Sequence, residues 1–131
     1  ITSDKVYKNI NTKKKYIESD KIGGDDPYSS SKGAADIITN SYKFLLEKKG
    51  HKIIIARAGN VIGGGDWAED RIISDCFKAW KKGTSVKIRN PNSTRPWQHV
   101  LEPLSGYLLA GSYLLNDKKK NNRQCLQFWS I

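Results

Sequence analysis

Tyr28 and Lys32 stand four residues apart in the stretch Asp26-Pro27-Tyr28-Ser29-Ser30-Ser31-Lys32. In a helix, that spacing puts both side chains on one face, one turn apart. An ammonium close to a phenol stabilises the phenolate. A tyrosine tuned in this way can take the proton of a sugar or alcohol hydroxyl while a nicotinamide accepts the hydride. A Tyr and a Lys at this spacing occur often by chance, so the pair gains weight only from what accompanies it.

Three other groups of residues accompany it. Thr2-Ser3-Asp4-Lys5-Val6-Tyr7 offers a hydroxyl, a carboxyl and an ammonium in consecutive positions. A turning loop can bring all three into one cleft, where Ser3 would position a sugar hydroxyl and Asp4 could protonate a leaving one. Gly63-Gly64-Gly65 lies in a loop whose backbone could approach a phosphate closely. It has neither the spacing of a P-loop nor that of the first βα turn of a dinucleotide fold. Arg89 and Arg95 flank a proline-bearing loop, and guanidinium forks match diphosphate oxygens. His51 and His99, like Cys76 and Cys125, show no metal-ligand spacing, so no metal is expected.

The elements that must carry these groups follow from the pattern. Ile1 to Tyr7 reads as a strand end entering a loop, and Asn9 to Asp26 as an exposed polar loop. Asp26 suits an N-cap and Pro27 a first helical position, so a helix is predicted over Tyr28 to Lys49, closed by Gly50. Its expected inner face is Ala34, Ala35, Ile38, Tyr42, Leu45 and Leu46. Lys52 to Arg57 reads as a buried parallel strand, with the glycine-rich loop at its C-terminal end, where open α/β sheets bind ligands. A helix is predicted over Asp70 to Lys82, with Ile72, Ile73, Cys76, Phe77 and Trp80 inward and Gly83 as its stop. Short strands are predicted at Ser85 to Ile88 and Trp97 to Val100, and a helix over Leu101 to Asn116. Asp117 to Asn122 reads as a loop, and Cys125 to Trp129 as a last strand. The alternation argues for an α/β fold.

The chain has 131 residues, enough for one modest domain, with 37% hydrophobic residues and a mean hydropathy of −0.63. No apolar run approaches the roughly 18 residues of a membrane span, and no signal-peptide layout opens the chain. Two distant cysteines fit reduced thiols in a cytoplasmic protein. A net charge of +10 and a pI near 9.6 raise nucleic-acid binding as a reading. The lysines, however, fall in small clusters at Lys13 to Lys15, Lys48-Lys49, Lys81-Lys82 and Lys118 to Lys120, at expected helix ends and loops. A solvated surface explains these clusters, and no nucleic-acid partner is expected. The chain contains no methionine, and it is expected to be a piece of a longer protein.

The order of these segments resembles the extended short-chain dehydrogenase/reductases, in particular the nucleotide-sugar 4,6-dehydratase group and its CDP-glucose branch. The resemblance rests on Thr2-Ser3-Asp4-Lys5-Val6-Tyr7, Tyr28-Ser29-Ser30-Ser31-Lys32, Arg57 to Arg71 and Arg95 to Leu104. It implies part of a Rossmann-like, doubly wound parallel sheet plus part of a small C-terminal substrate lobe. The N-terminal half with the Gly-x-x-Gly-x-x-Gly pyrophosphate loop would be absent, so the isolated piece is expected to bind NAD weakly or not at all. It further implies Ser3, Tyr28 and Lys32 as the hydroxyl-tyrosine-lysine set, with Tyr28 as base at sugar C4 and Lys32 also holding the nicotinamide ribose. Asp4 would protonate the C6 hydroxyl, and Lys5 stands where related enzymes carry a glutamate base. Asn60, Arg71, Arg89 and Arg95 would contact a nucleotide-sugar substrate such as CDP-glucose. A cytoplasmic homodimer of the full-length parent is implied as well. The alternatives are a related epimerase and a non-catalytic remnant acting as a binding module.

Overall fold

The computed structural model of the chain describes residues 1–10, 15–116 and 125–128. β1 (Thr2–Ser3) leads into a single 3-10 turn (Asp4–Val6). Then come α1 (Pro27–Glu47), β2 (Ile55–Ala58), β3 (Asn60–Ile62), α2 (Ile72–Lys81), β4 (Trp97–His99), α3 (Leu101–Leu115) and β5 (Cys125–Phe128). β1, β2 and β5 form one sheet in the order β1-β2-β5, and β3 pairs with β4 in a second; every strand pair is parallel. Thr2 lies opposite Arg57 and Ser3 opposite Ala58, so β1 and β2 end side by side. This is the α/β class that the sequence predicts.

Local chemistry explains the ends of α1. The Asp26 side chain accepts the Ser29 backbone N–H at 3.0 Å and the Ser29 hydroxyl at 2.6 Å, and Pro27 occupies the first turn. These hydrogen bonds, that from the Ser29 hydroxyl first, hold the Asp26 carboxyl below its ordinary range. α1 ends at Glu47, and Gly50 just beyond adopts a φ of 83°, a left-handed conformation that few side chains tolerate. Gly83 does the same after α2, with a φ of 65°.

Burial departs from the helical periodicity. The face of α1 turned inward is Ser29, Gly33 and Asp36, while Ala34, Ala35, Ile38, Tyr42 and Leu45 are exposed. Gly33 allows the helix to sit tightly on the segment behind it: an added Cβ would stand 3.2 Å from Ile22 and 3.7 Å from the Val6 carbonyl. In α2 the buried residue is Ser74, whose hydroxyl bonds the Ala68 carbonyl at 2.8 Å, whereas Ile72, Phe77 and Trp80 are exposed. Leu104, Leu108 and Leu115 of α3 are exposed too. Periodicity reports that a helix forms and which residues share a face; the layer that would cover these apolar faces is not supplied by the described residues.

The remaining expectations divide similarly. The loop before α1 is tied back rather than free: Tyr7 bridges Ile22, the Lys8 N–H bonds the Lys21 carbonyl at 2.9 Å, and the Tyr16 ring stacks on Tyr7 at 5.2 Å. Ser85 to Ile88 forms no strand, whereas part of the glycine-rich segment does, as β3. The expected loop at Asp117 to Asn122, the lysines at 13, 14 and 118–120 and the Trp129 end of the last strand lie outside the described residues.

Candidate active site

A cleft of about 590 Å³ opens at the C-terminal ends of β1 and β2, where β1 gives way to the 3-10 turn and β2 to Gly59. Ser3, Asp4, Lys5 and Tyr28 line one side; Asn60, Arg71, Arg89 and Arg95 also face it, from segments after β2. Eight of the nine residues singled out in the sequence thus share one cavity. Lys32 is not part of its wall. Its ammonium lies 5.6 Å from the centroid of the Tyr28 ring, so the one-turn spacing does place the two together.

The inner group is compact. The Ser3 hydroxyl caps the 3-10 turn: it accepts the Lys5 backbone N–H at 3.2 Å and donates to the Asp4 carboxylate at 3.0 Å. The Lys5 ammonium bonds the other oxygen of Asp4 at 2.9 Å, with the carboxyl side chain 9% and the lysine side chain 34% exposed. A carboxyl and an amine therefore meet at the cleft wall, in proton-transfer distance of each other. Tyr28, at the first turn of α1, is 55% exposed and lines the cleft.

The outer group is built differently. Arg89 pairs with Asp70 at 3.1 Å, and Arg95 donates to the Thr94 carbonyl at 3.1 Å. Both guanidiniums are exposed, with donors left over for an anion. Asn60 holds a buried Oδ1 with no hydrogen-bond partner among the described residues. Leaving a buried acceptor unmade is costly, which makes this atom a natural receptor for a ligand hydroxyl or amine. Two glycines of the neighbouring segment serve packing: a Cβ on Gly59 would stand 2.8 Å from the Pro96 carbonyl oxygen, and one on Gly63 3.0 Å from Val100. They let the segment after β2 lie against the one leading into α3.

Sequence reasoning missed one cluster. Arg57 of β2 is buried and gives Nε and one Nη to the two oxygens of Asp36, each at 2.8 Å. Its other Nη reaches the Tyr7 hydroxyl at 2.9 Å and the Glu18 carbonyl at 3.0 Å. The Thr2 hydroxyl adds a bond to Asp36 at 3.0 Å, and Tyr7 also bonds Gln127. Burial opposes the Arg57 charge, but the hydrogen bonds to Asp36 and Tyr7 outweigh it and hold its pKa above the ordinary value. Burial pushes the Tyr7 phenol up to about 12, against the pull of Arg57. The signal was present: an arginine in a buried strand requires a partner.

Among the described residues no helix is long and apolar enough to cross a membrane, and no group of three or more His, Cys, Asp or Glu side chains could hold a metal ion. Over 126 residues the chain is 46% identical to CDP-glucose 4,6-dehydratase of Salmonella typhimurium strain LT2, covering 92% of this chain and 35% of that protein. Its fold matches dTDP-glucose 4,6-dehydratase of Bacillus anthracis, solved in complex with NAD, with a TM-score of 0.78 at 20% identity. That match covers 98% of this chain and 38% of the other. UDP-glucuronic acid 4-epimerase of Bacillus cereus, solved with UDP-glucuronic acid and NAD, gives a TM-score of 0.76 at 15% identity, over 99% of this chain and 38% of that one. The chain therefore spans little more than a third of these relatives. The profile of the NAD dependent epimerase/dehydratase family matches residues 1–122, and the chain belongs to that family.

Proposed function

We propose that the protein carrying this chain is a nucleotide-sugar 4,6-dehydratase that converts CDP-glucose to CDP-4-keto-6-deoxyglucose. The observation that carries this reading is the Asp4–Lys5 pair at 2.9 Å in the same cleft wall as Ser3 and Tyr28. Oxidation at C4 asks for a base on the C4 hydroxyl, a role that suits the Tyr28 phenol, with the Ser3 hydroxyl orienting the sugar. Once C4 is a ketone the C5 proton is acidic, and loss of water across C5 and C6 asks for an acid at the C6 hydroxyl and a base at C5. Asp4 supplies the acid. Lys5 can serve as the base only after its ammonium gives up a proton, and Asp4 is the adjacent acceptor. Arg89 and Arg95 suit the diphosphate, and the buried Oδ1 of Asn60 suits a hydroxyl of the substrate.

The exposed phenol of Tyr28, with the Lys32 ammonium beside it, fits the hydroxyls of a nicotinamide ribose. These two residues would hold that end of NAD, which when bound accepts the C4 hydride and returns it at C6. No Gly-x-x-Gly-x-x-Gly loop occurs in the sequence to cradle the pyrophosphate.

The test is to incubate the full-length protein with CDP-glucose and NAD and follow the product by NMR. A 4-keto-6-deoxy sugar is expected, and Asp4→Asn should abolish its formation. Epimerised sugar, unaffected by Asp4→Asn, would replace this reading with that of an epimerase; no product would leave a binding module.

A further inference from the structure

Ser3, Asp4 and Lys5 sit on a turn whose last residue, Val6, is fully buried, and their positions relative to Tyr28 must be held closely for any proton transfer between them and a sugar. The segment's two neighbours show what holds it. On the near side, Thr2 turns away from Ser3, as alternation along a strand requires, and its hydroxyl bonds Asp36 at 3.0 Å. On the far side, Tyr7 caps the turn and its hydroxyl receives an N–H of Arg57 at 2.9 Å. Asp36 and Arg57 are themselves joined by two 2.8 Å hydrogen bonds, with side chains 0% and 2% exposed. Both ends of the Ser3–Val6 turn are therefore fastened to one buried ion pair. Asp36 is also part of α1, two turns beyond Tyr28, so the same pair fastens the helix that carries the phenol.

We infer that the Arg57–Asp36 pair, through Thr2 and Tyr7, is a positioning clamp that sets the register between the Ser3-Asp4-Lys5 turn and Tyr28. None of the four residues lines the cleft, so none is a catalytic residue. Bidentate geometry is what makes such a clamp specific. A guanidinium fork fixes the direction as well as the distance of a carboxylate, which a lysine ammonium would not. The Glu18 carbonyl takes a further N–H of Arg57 at 3.0 Å and Gln127 bonds Tyr7, so the guanidinium has little freedom to rotate.

The catalytic part of this inference rests on the dehydratase reading. Removing the buried charges risks unfolding, so the test uses variants that keep them: Thr2→Val, Thr2→Ser and Tyr7→Phe in the full-length protein. Thr2→Val and Tyr7→Phe should each lower kcat about 10- to 100-fold. KM should stay within about twofold, because substrate contacts are untouched. Thr2→Ser, which keeps the hydroxyl, should restore kcat. Hydrogen–deuterium exchange on the same proteins should show faster exchange over residues 2–8 in Thr2→Val and Tyr7→Phe, with α1 unchanged. Unchanged exchange over residues 2–8 overturns the clamp, as does a kcat within about twofold of the parent in well-folded Thr2→Val and Tyr7→Phe. If the parent makes no 4-keto product, the dehydratase reading falls and the exchange result alone decides the clamp.

Discussion

Two arginine–aspartate pairs in this molecule have nearly the same separation and opposite surroundings. Arg57 and Asp36 meet at 2.8 Å with side chains 2% and 0% exposed; Arg89 and Asp70 meet at 3.1 Å with side chains 71% and 80% exposed. The outer pair sits in high-dielectric solvent, where such contacts contribute about 0–1 kcal/mol and salt screens them. The inner pair is shut off from solvent, and among the described residues its charges are satisfied by each other and by Thr2, Tyr7 and the Glu18 carbonyl. Rigidity is thus concentrated behind the cleft, whereas the arginine at its mouth stays exchangeable. A ligand anion can displace Asp70 from Arg89 at little cost; nothing comparable can reach Arg57.

The comparison breaks most readily at its inner side. Arg57→Met should destabilise the protein by about 3–5 kcal/mol, because it strands the Asp36 carboxylate in the interior. Urea unfolding would measure it, and a loss below about 1 kcal/mol would place the inner pair in the same class as the outer one. Tyr7 gives a pH signature of the same cluster. An unfolded tyrosine loses its proton near 10.0, whereas folded Tyr7 keeps it up to about 12. The folded state therefore binds more protons in between. This contribution to stability is fully present below pH 10 and is lost as the pH rises through 12. Thermal melts of wild type and Tyr7→Phe across that window should converge as the pH rises; parallel curves would contradict the buried phenol.

The same contrast explains what was legible in the sequence. The features that the sequence singles out are local: Tyr28 and Lys32 by one-turn spacing, Ser3, Asp4 and Lys5 by adjacency, and the Asp26 cap by its place before Pro27. The inner cluster joins positions up to 120 residues apart, Tyr7 to Gln127, and no local pattern connects them. The inner face of α1 was misread for a related reason. Its apolar residues suggested one face, but Asp36 must meet Arg57 and Gly33 must admit the Ile22 side chain, so the helix presents Ser29, Gly33 and Asp36 instead. Long-range polar demand overrode local hydrophobic pattern.

A mid-sized effect should appear at the outer pair, in binding rather than in folding. If Arg89 meets a diphosphate, Arg89→Ala removes a charge-assisted contact of about 1.5–3 kcal/mol. That corresponds to about 10- to 150-fold weaker binding of CDP-glucose to the full-length protein by calorimetry. Unfolding free energy should move by less than about 1 kcal/mol. Raising the salt should narrow the difference in affinity. Equal affinity of the two proteins would remove Arg89 from the proposed diphosphate site.

The smallest effect separates charge from backbone at Asp70. This residue has a φ of 59°, in the left-handed region, which Asp and Asn tolerate better than other side chains. Asp70→Asn keeps that tolerance and removes only the charge, so its cost should stay within about 0.5 kcal/mol, as for an exposed pair. Asp70→Ala removes the charge and the tolerance together and should cost about 1 kcal/mol through the backbone. Adding salt should leave the gap between the two variants unchanged, because conformational strain is not screened. If Asn costs as much as Ala, and salt erases both losses, then the outer ion pair holds the loop after all, and the division between a rigid interior and an exchangeable mouth fails at that point.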